Sequence, residues 1–143
     1  MSIKRELKKA NIIVKKRVKL TSGKTADFYC DFKKVYENPK VLKKVADALV
    51  LKIKEKSIRR TQGLPTCIAA TGFGGIPLAT LVSTKLNLPL VLVRTEKRNH
   101  GLKKTIEGYI PTVKDSVAIV EDVCTYSTSL MKIISSSLGR ALS

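Results

Sequence analysis

Short apolar runs without polar alternation, each followed by a turn and then by apolar residues at helical spacing, dominate this chain from residue 66 onward. Thr66-Cys67-Ile68-Ala69-Ala70 is one such run, Leu90-Val91-Leu92-Val93 a second and Val117-Ala118-Ile119-Val120 a third. Runs of this length predict parallel strands covered on both faces, where alternation would expose a polar side to the core. Helical spacing follows the first run over 78–86, and follows the third through Leu130, Ile133, Ile134, Leu138 and Leu142. Earlier in the chain, Asn38-Pro39 reads as a helix cap and first helical position, ahead of Val41, Leu42, Val45, Leu49 and Ile53 at helical spacing. That pattern ends in an expected loop over 57–65. At the start, Ile3, Leu7, Ala10 and Ile12 predict a short helix over 3–13. Ser22-Gly23-Lys24 then supplies a turn, and the alternation of 28–32 supplies a strand, so a hairpin is expected. The stretch 94–108 is polar, has no apolar face and is expected to be a mobile loop. Strand, helix, strand, irregular segment and strand together predict an α/β fold with a parallel sheet, right-handed crossovers and a ligand site at the strands' carboxyl ends.

Length and charge narrow the class. A chain of 143 residues with 43% hydrophobic residues can bury one core, so a single domain over 1–143 is expected. No apolar run approaches the ~20 residues that span a bilayer, and the lysine-rich start lacks the apolar centre of a secretory signal, so a cytoplasmic location and no membrane partner are expected. Cys30, Cys67 and Cys124 show neither a disulfide framework nor zinc-type spacing, which predicts unbridged thiols. With 28 Lys plus Arg against 11 Asp plus Glu, the formal charge is +17. That excess calls for an anionic partner, either nucleic acid bound weakly and without sequence preference or a polyphosphate substrate. Its spread through every segment also fits lysines that serve solubility alone.

The candidate chemistry lies where the strands end. Glu121 and Asp122 close the third run, and the turn after them carries Thr125, Tyr126, Ser127, Thr128 and Ser129. Backbone amides and hydroxyls at a helix start suit a phosphate monoester, whereas two carboxylates suit sugar hydroxyls or a hydrated magnesium ion. An acidic strand end with a Ser/Thr-rich helix cap would look the same. Gly72, Phe73, Gly74 and Gly75 form a second strand-to-helix turn whose backbone can approach an anion closely, with Pro77 expected in the helix's first turn. Its spacing is neither that of a P-loop nor that of a dinucleotide fingerprint.

The segment VAIVEDVCTYSTS at 117–129 resembles the 5-phosphoribosyl-pyrophosphate (PRPP) signature of the type I phosphoribosyltransferases, with Glu121, Asp122, Thr125 and Ser129 on the pattern. Tyr126 stands where a second Thr is usual and Ser127 where Gly is usual. GGIPLAT at 74–80 resembles the pyrophosphate loop of the orotate-specific members. LTSGKTADFYCD at 20–31 resembles their N-terminal segment, in which a Ser-Gly turn and an aromatic pair enclose the base. The stretch beginning at Arg94 resembles their catalytic hood loop. Arg94, Glu96, His100, Gly101, Ile106, Glu107 and Gly108 match it, while Thr95 and Arg98 stand where lysines are common.

The chain thus resembles the orotate phosphoribosyltransferases, and the resemblance implies their fold, a type I sheet with an N-terminal hairpin or hood. It implies transfer of ribosyl phosphate from PRPP to orotate, with Glu121, Asp122, Arg98 and His100 as catalytic residues. PRPP and pyrophosphate would be held by Arg94, Lys97, Arg98, His100, Gly72, Phe73, Gly74, Gly75, Glu121, Asp122, Thr125, Tyr126, Ser127, Thr128 and Ser129. Orotate would be held by Lys24, Phe28, Tyr29 and Thr125. Mg²⁺ would arrive on PRPP, with no direct protein ligand, and the 94–108 loop would be shared across a homodimer. Family members continue past the helix after the PRPP loop, so a truncated C-terminal sheet edge is expected here. The alternatives are a non-catalytic relative binding a phosphorylated ligand or RNA, and a plain basic RNA-binding module.

Overall fold

A computed structural model describes residues 3–19, 23–60, 63–94 and 105–123. The backbone divides into two compact units, Met1–Val45 and Ala46–Ser143.

In the first unit, helix α1 covers Ile3–Lys9. It ends sooner than its apolar spacing predicts because Asn11 takes a left-handed φ of 50° and its amide donates back to the Lys8 carbonyl at 3.1 Å. Strand β1 (Ile13–Val14) follows, then β2 (Val18–Lys19), β3 (Thr25–Ala26) and β4 (Tyr29–Cys30). β2 and β3 pair antiparallel, with Gly23 at φ +81° in their connection, so the expected hairpin forms. The 28–32 stretch is not its second strand. Tyr29–Cys30 pairs instead with β1, and Phe32–Glu37 coils into a 3₁₀ helix whose three-residue period puts Phe32 and Val35 on one buried face. The buried Glu6 carboxylate of α1 is met by Lys44 at 2.7 Å, which offsets the cost of taking it from water.

Helix α2 runs Pro39–Arg60. The Asn38 side chain caps it as expected, its Oδ1 accepting from the amides of Lys40 at 3.1 Å and Val41 at 3.3 Å. The loop expected from residue 57 starts later. Ser57 donates its hydroxyl to the Ile53 carbonyl at 2.9 Å and so stays within the helix, and the first left-handed residue beyond it is Gly63 at φ +73°.

The second unit is built on a four-stranded sheet in the order β7-β6-β5-β8, with β5 at Cys67–Thr71, β6 at Leu90–Val93, β7 at Ile106–Gly108 and β8 at Val117–Ile119. β5 is parallel to β6 and to β8 and is buried at every residue, as its unbroken apolar run demands. Cys67, Ala69, Val91, Val93 and Ile106 pack as one cluster, with Val117 and Ile119 against it. Helix α3 (Gly72–Leu86) follows β5 and buries Leu78, Ala79 and Val82. Asn87, at φ 54°, ends it by donating to the Ser83 and Thr84 carbonyls.

Two expectations change here. The end of the polar stretch is a core strand, because β7 pairs antiparallel with β6 and sinks Ile106 to 1% exposure. Gly108 makes that pairing close. It has φ +74°, and a Cβ there would lie 2.5 Å from the Leu90 carbonyl oxygen. Strand β8 is half-buried throughout, as suits its position as an edge among the described residues. At the amino end of the sheet Asp115 gathers Thr66 Oγ1 at 2.7 Å, the Thr112 amide at 2.7 Å and the Tyr109 hydroxyl at 3.1 Å, which hold its carboxyl down to about 2. Among the described residues no helix is long and apolar enough to cross a membrane.

Candidate functional site

Parallel pairing of β5 with both neighbours brings three chain segments to one edge of the sheet. Thr71 ends β5 opposite Val93, the last residue of β6, and the Val120 amide donates to the Ala69 carbonyl at 2.9 Å, so Glu121 leaves the sheet beside the start of α3. The glycine turn, Arg94 and the acidic pair, singled out separately in the sequence, therefore leave the sheet at the same edge, at the carboxyl ends where α/β sheets bind ligands.

The glycines are part of α3 rather than a loop before it. Gly72 has φ +67° and opens the helix with no atom within 4 Å of where a Cβ would stand. Pro77 consequently falls inside the helix, past the first turn, and has no N–H to offer the Phe73 carbonyl. The Asp122 carboxylate lies where a Gly74 side chain would be, and a Cβ at Gly75 would stand 3.1 Å from the Val120 carbonyl and 3.6 Å from Glu121 Oε1. Side chains at 74 and 75 would crowd the acidic pair. Phe73 is 93% exposed.

The two acids are not equivalent. Glu121 Oε1 is buried with no hydrogen-bond partner among the described residues. Burial first, and the neighbouring Asp122 carboxylate second, push the Glu121 carboxyl up to about 7, against a hydrogen bond from the Thr71 backbone N–H. An orphaned oxygen of this kind awaits a donor, and sugar hydroxyls are donors.

Arg94 is turned toward Glu107 of β7, its Nη2 and Nε donating to Glu107 Oε1 at 3.0 and 3.3 Å. Its amide donates to the Thr105 carbonyl at 2.9 Å and closes the root of the 95–104 segment. Both side chains are partly exposed, so the pair leaves the guanidinium within reach of solvent and of an anion.

Two contributors were not among the sequence-derived candidates. Glu107 belongs to the I-E-G match, but its partnership with Arg94 depends on the hairpin that the charged flanks of β7 hide. Thr71 donates its buried hydroxyl to the Val93 carbonyl at 2.8 Å. No periodicity marks it out. Lys97, Arg98, His100, Thr125, Tyr126, Ser127, Thr128 and Ser129 lie outside the described residues, as does the helix expected from residue 130. Lys24, Phe28 and Tyr29 belong to the first unit and are all exposed, Phe28 by 57% and Tyr29 by 41%. Aromatics so placed are available to a flat ligand rather than used up in a core.

No protein-family model matches the chain. It is 37% identical over 113 residues to an orotate phosphoribosyltransferase of Pyrococcus horikoshii, covering 79% of this chain and 58% of that protein. To that of Methanosphaera stadtmanae it is 35% identical over 128 residues, covering 90% of this chain and 67% of the relative. The chain thus spans less than two-thirds of the Pyrococcus relative. Its fold matches the crystal structure of orotate phosphoribosyltransferase from Aeropyrum pernix with a TM-score of 0.74 and 25% identity, over 98% of this chain and 75% of that one.

Proposed function

This chain belongs to the orotate phosphoribosyltransferases, and from that membership we propose that it transfers the 5-phosphoribosyl group of PRPP to orotate, giving orotidine 5′-monophosphate and pyrophosphate. The observation that carries the proposal is the placement of Asp122 over Gly74 with Glu121 beside Gly75. It sets hydroxyl acceptors directly against backbone amides that suit a pyrophosphate.

In the proposed reaction the C1–oxygen bond to pyrophosphate breaks, a ring nitrogen of orotate bonds to C1, and that nitrogen's proton leaves. Positive charge develops on the ribose as the leaving group departs. No protein nucleophile is required. Asp122 and Glu121 accept hydrogen bonds from the ribose hydroxyls and hold C1 in place. The leading amides of α3 and the Arg94 guanidinium stabilise charge on the departing pyrophosphate. Lys97, Arg98 and His100 add cationic and donor groups from the 95–104 segment, and Thr125 through Ser129 hold the 5′-phosphate. Phe28 and Tyr29 stack on orotate, with Lys24 offsetting its carboxylate and Thr125 contacting the base. Hard oxygen donors fit Mg²⁺, which would ride on PRPP with its waters against Glu121 and Asp122 and would neutralise pyrophosphate charge. A cytoplasmic homodimer of single-domain chains, sharing the loop between subunits, completes the proposal.

The test is PRPP- and Mg²⁺-dependent loss of orotate absorbance. Asp122→Asn should lower kcat/KM by ~10²-fold or more at unchanged thermal stability. A parent protein without turnover, or an Asp122→Asn variant as active as the parent, overturns it.

A further inference from the structure

Thr71 stands at the N-cap of α3, with extended φ −137° and ψ 154°. A Thr in that place ordinarily turns its side-chain oxygen onto an amide of the helix's first turn. Here it makes no such bond. Its Oγ1 points the other way and donates to the Val93 carbonyl at 2.8 Å, in a residue only 4% exposed.

The accepting oxygen belongs to the peptide unit between Val93 and Arg94. The N–H of that same unit donates to the Thr105 carbonyl at 2.9 Å. One peptide plane is thereby held from both sides, by the Thr71 hydroxyl at its oxygen and by Thr105 at its nitrogen. Its orientation sets the direction in which Arg94 leaves the sheet. On its other side Thr71 gives its backbone N–H to the Glu121 carboxyl. One buried residue touches all three segments of the site.

We infer that Thr71 is a positioning residue for phosphoribosyl transfer: by committing its hydroxyl to the Val93 carbonyl it leaves the leading amides of α3 uncapped for the pyrophosphate and fixes the exit of Arg94. The inference rests on the transfer reaction proposed above. It predicts that loss of the hydroxyl is felt by the pyrophosphate end of the substrate and not by the base. It predicts also that a side chain that does cap the helix competes with the ligand.

Steady-state kinetics on Thr71→Val, Thr71→Ser and Thr71→Asn, with thermal melts and calorimetric titration by inorganic pyrophosphate, test this. Thr71→Val keeps the shape and removes the donor, and should raise the KM for PRPP by about tenfold, as loss of one buried hydrogen bond implies, with the KM for orotate within about twofold. Thr71→Ser restores the hydroxyl and should return the PRPP KM to near the parent value. Thr71→Asn introduces a strong cap, and should weaken pyrophosphate binding by about tenfold without lowering the melting temperature. Should Thr71→Val not fold, the Asn and Ser variants decide. Equal changes in both KM values, or undiminished pyrophosphate binding by Thr71→Asn, would overturn the inference alone. A parent protein inactive with PRPP and orotate would overturn the transfer reaction and this inference with it.

Discussion

The Asp122 carboxylate occupies the space that a side chain at Gly74 would need. The nearest obstacle to a methyl group there is the end of a flexible side chain, not backbone, so the conflict is relieved by moving Asp122 rather than by unfolding α3. Alanine is also a better helix former than glycine, by ~1 kcal/mol. Gly74→Ala should therefore keep or slightly raise the melting temperature while lowering kcat/KM for PRPP by ~10-fold or more. A variant that loses stability and activity in proportion would show that Gly74 serves packing instead.

Arg94 and Glu107 face each other across β6 and β7 at 3.0 Å. A half-exposed pair of this kind contributes ~0.2–1 kcal/mol, so its removal costs the fold little. What it does cost is positive charge available to an anion. Glu107→Gln should tighten PRPP binding by about two- to fivefold, the range those energies allow. Calorimetry at fixed ionic strength reads this, and weaker binding would mean that Glu107 aims Arg94 rather than competing for it.

How much of this was legible beforehand depended on whether local pattern and tertiary context agreed. β5, β6 and β8 were readable because a continuous apolar run has few alternative fates, and α2 because Asn38 and Pro39 announce its start. β7 was not. Its one buried residue, Ile106, sits between Thr105 and Glu107, and only pairing with β6 makes a strand of it. The turn at 71–77 was placed correctly as ligand-facing backbone but wrongly as a loop, because three glycines read locally as a break while tertiary packing carries the helix back to Gly72. Thr71 left no trace at all, since its role lies in which way a hydroxyl points.

Phe28 offers a test on the first unit. At 57% exposure its ring has little packing to lose, so Phe28→Ala should leave folding nearly unchanged. If the ring stacks on orotate, the KM for orotate should rise by the equivalent of ~1–3 kcal/mol while that for PRPP moves little. Equal rises in both would assign Phe28 to the conformation of the neighbouring hairpin.

The two perturbed carboxyls act on stability with opposite signs. Asp115 is held down to about 2 from an ordinary 3.8 by its Thr112, Thr66 and Tyr109 donors, so the stability it contributes is present above pH 3.8 and is lost as pH falls toward 2. Glu121 is pushed up to about 7 from 4.5, chiefly by burial. The folded protein therefore holds a proton there that the unfolded chain has released, and stability falls as pH rises from about 4.5 through 7. Glu121→Gln should abolish that decline and melt at a higher temperature than the parent at pH 8, with no advantage at pH 4. Asp115→Asn should do the reverse, losing stability near neutrality and converging on the parent toward pH 2. Function then opposes stability at Glu121. Ribose hydroxyls donate best to the ionised carboxylate, so PRPP binding should release a proton and tighten as pH climbs through 7. Calorimetry in buffers of differing ionisation enthalpy counts that proton, and binding that releases none, with Glu121 and Gln variants alike in pH profile, would remove Glu121 from the site.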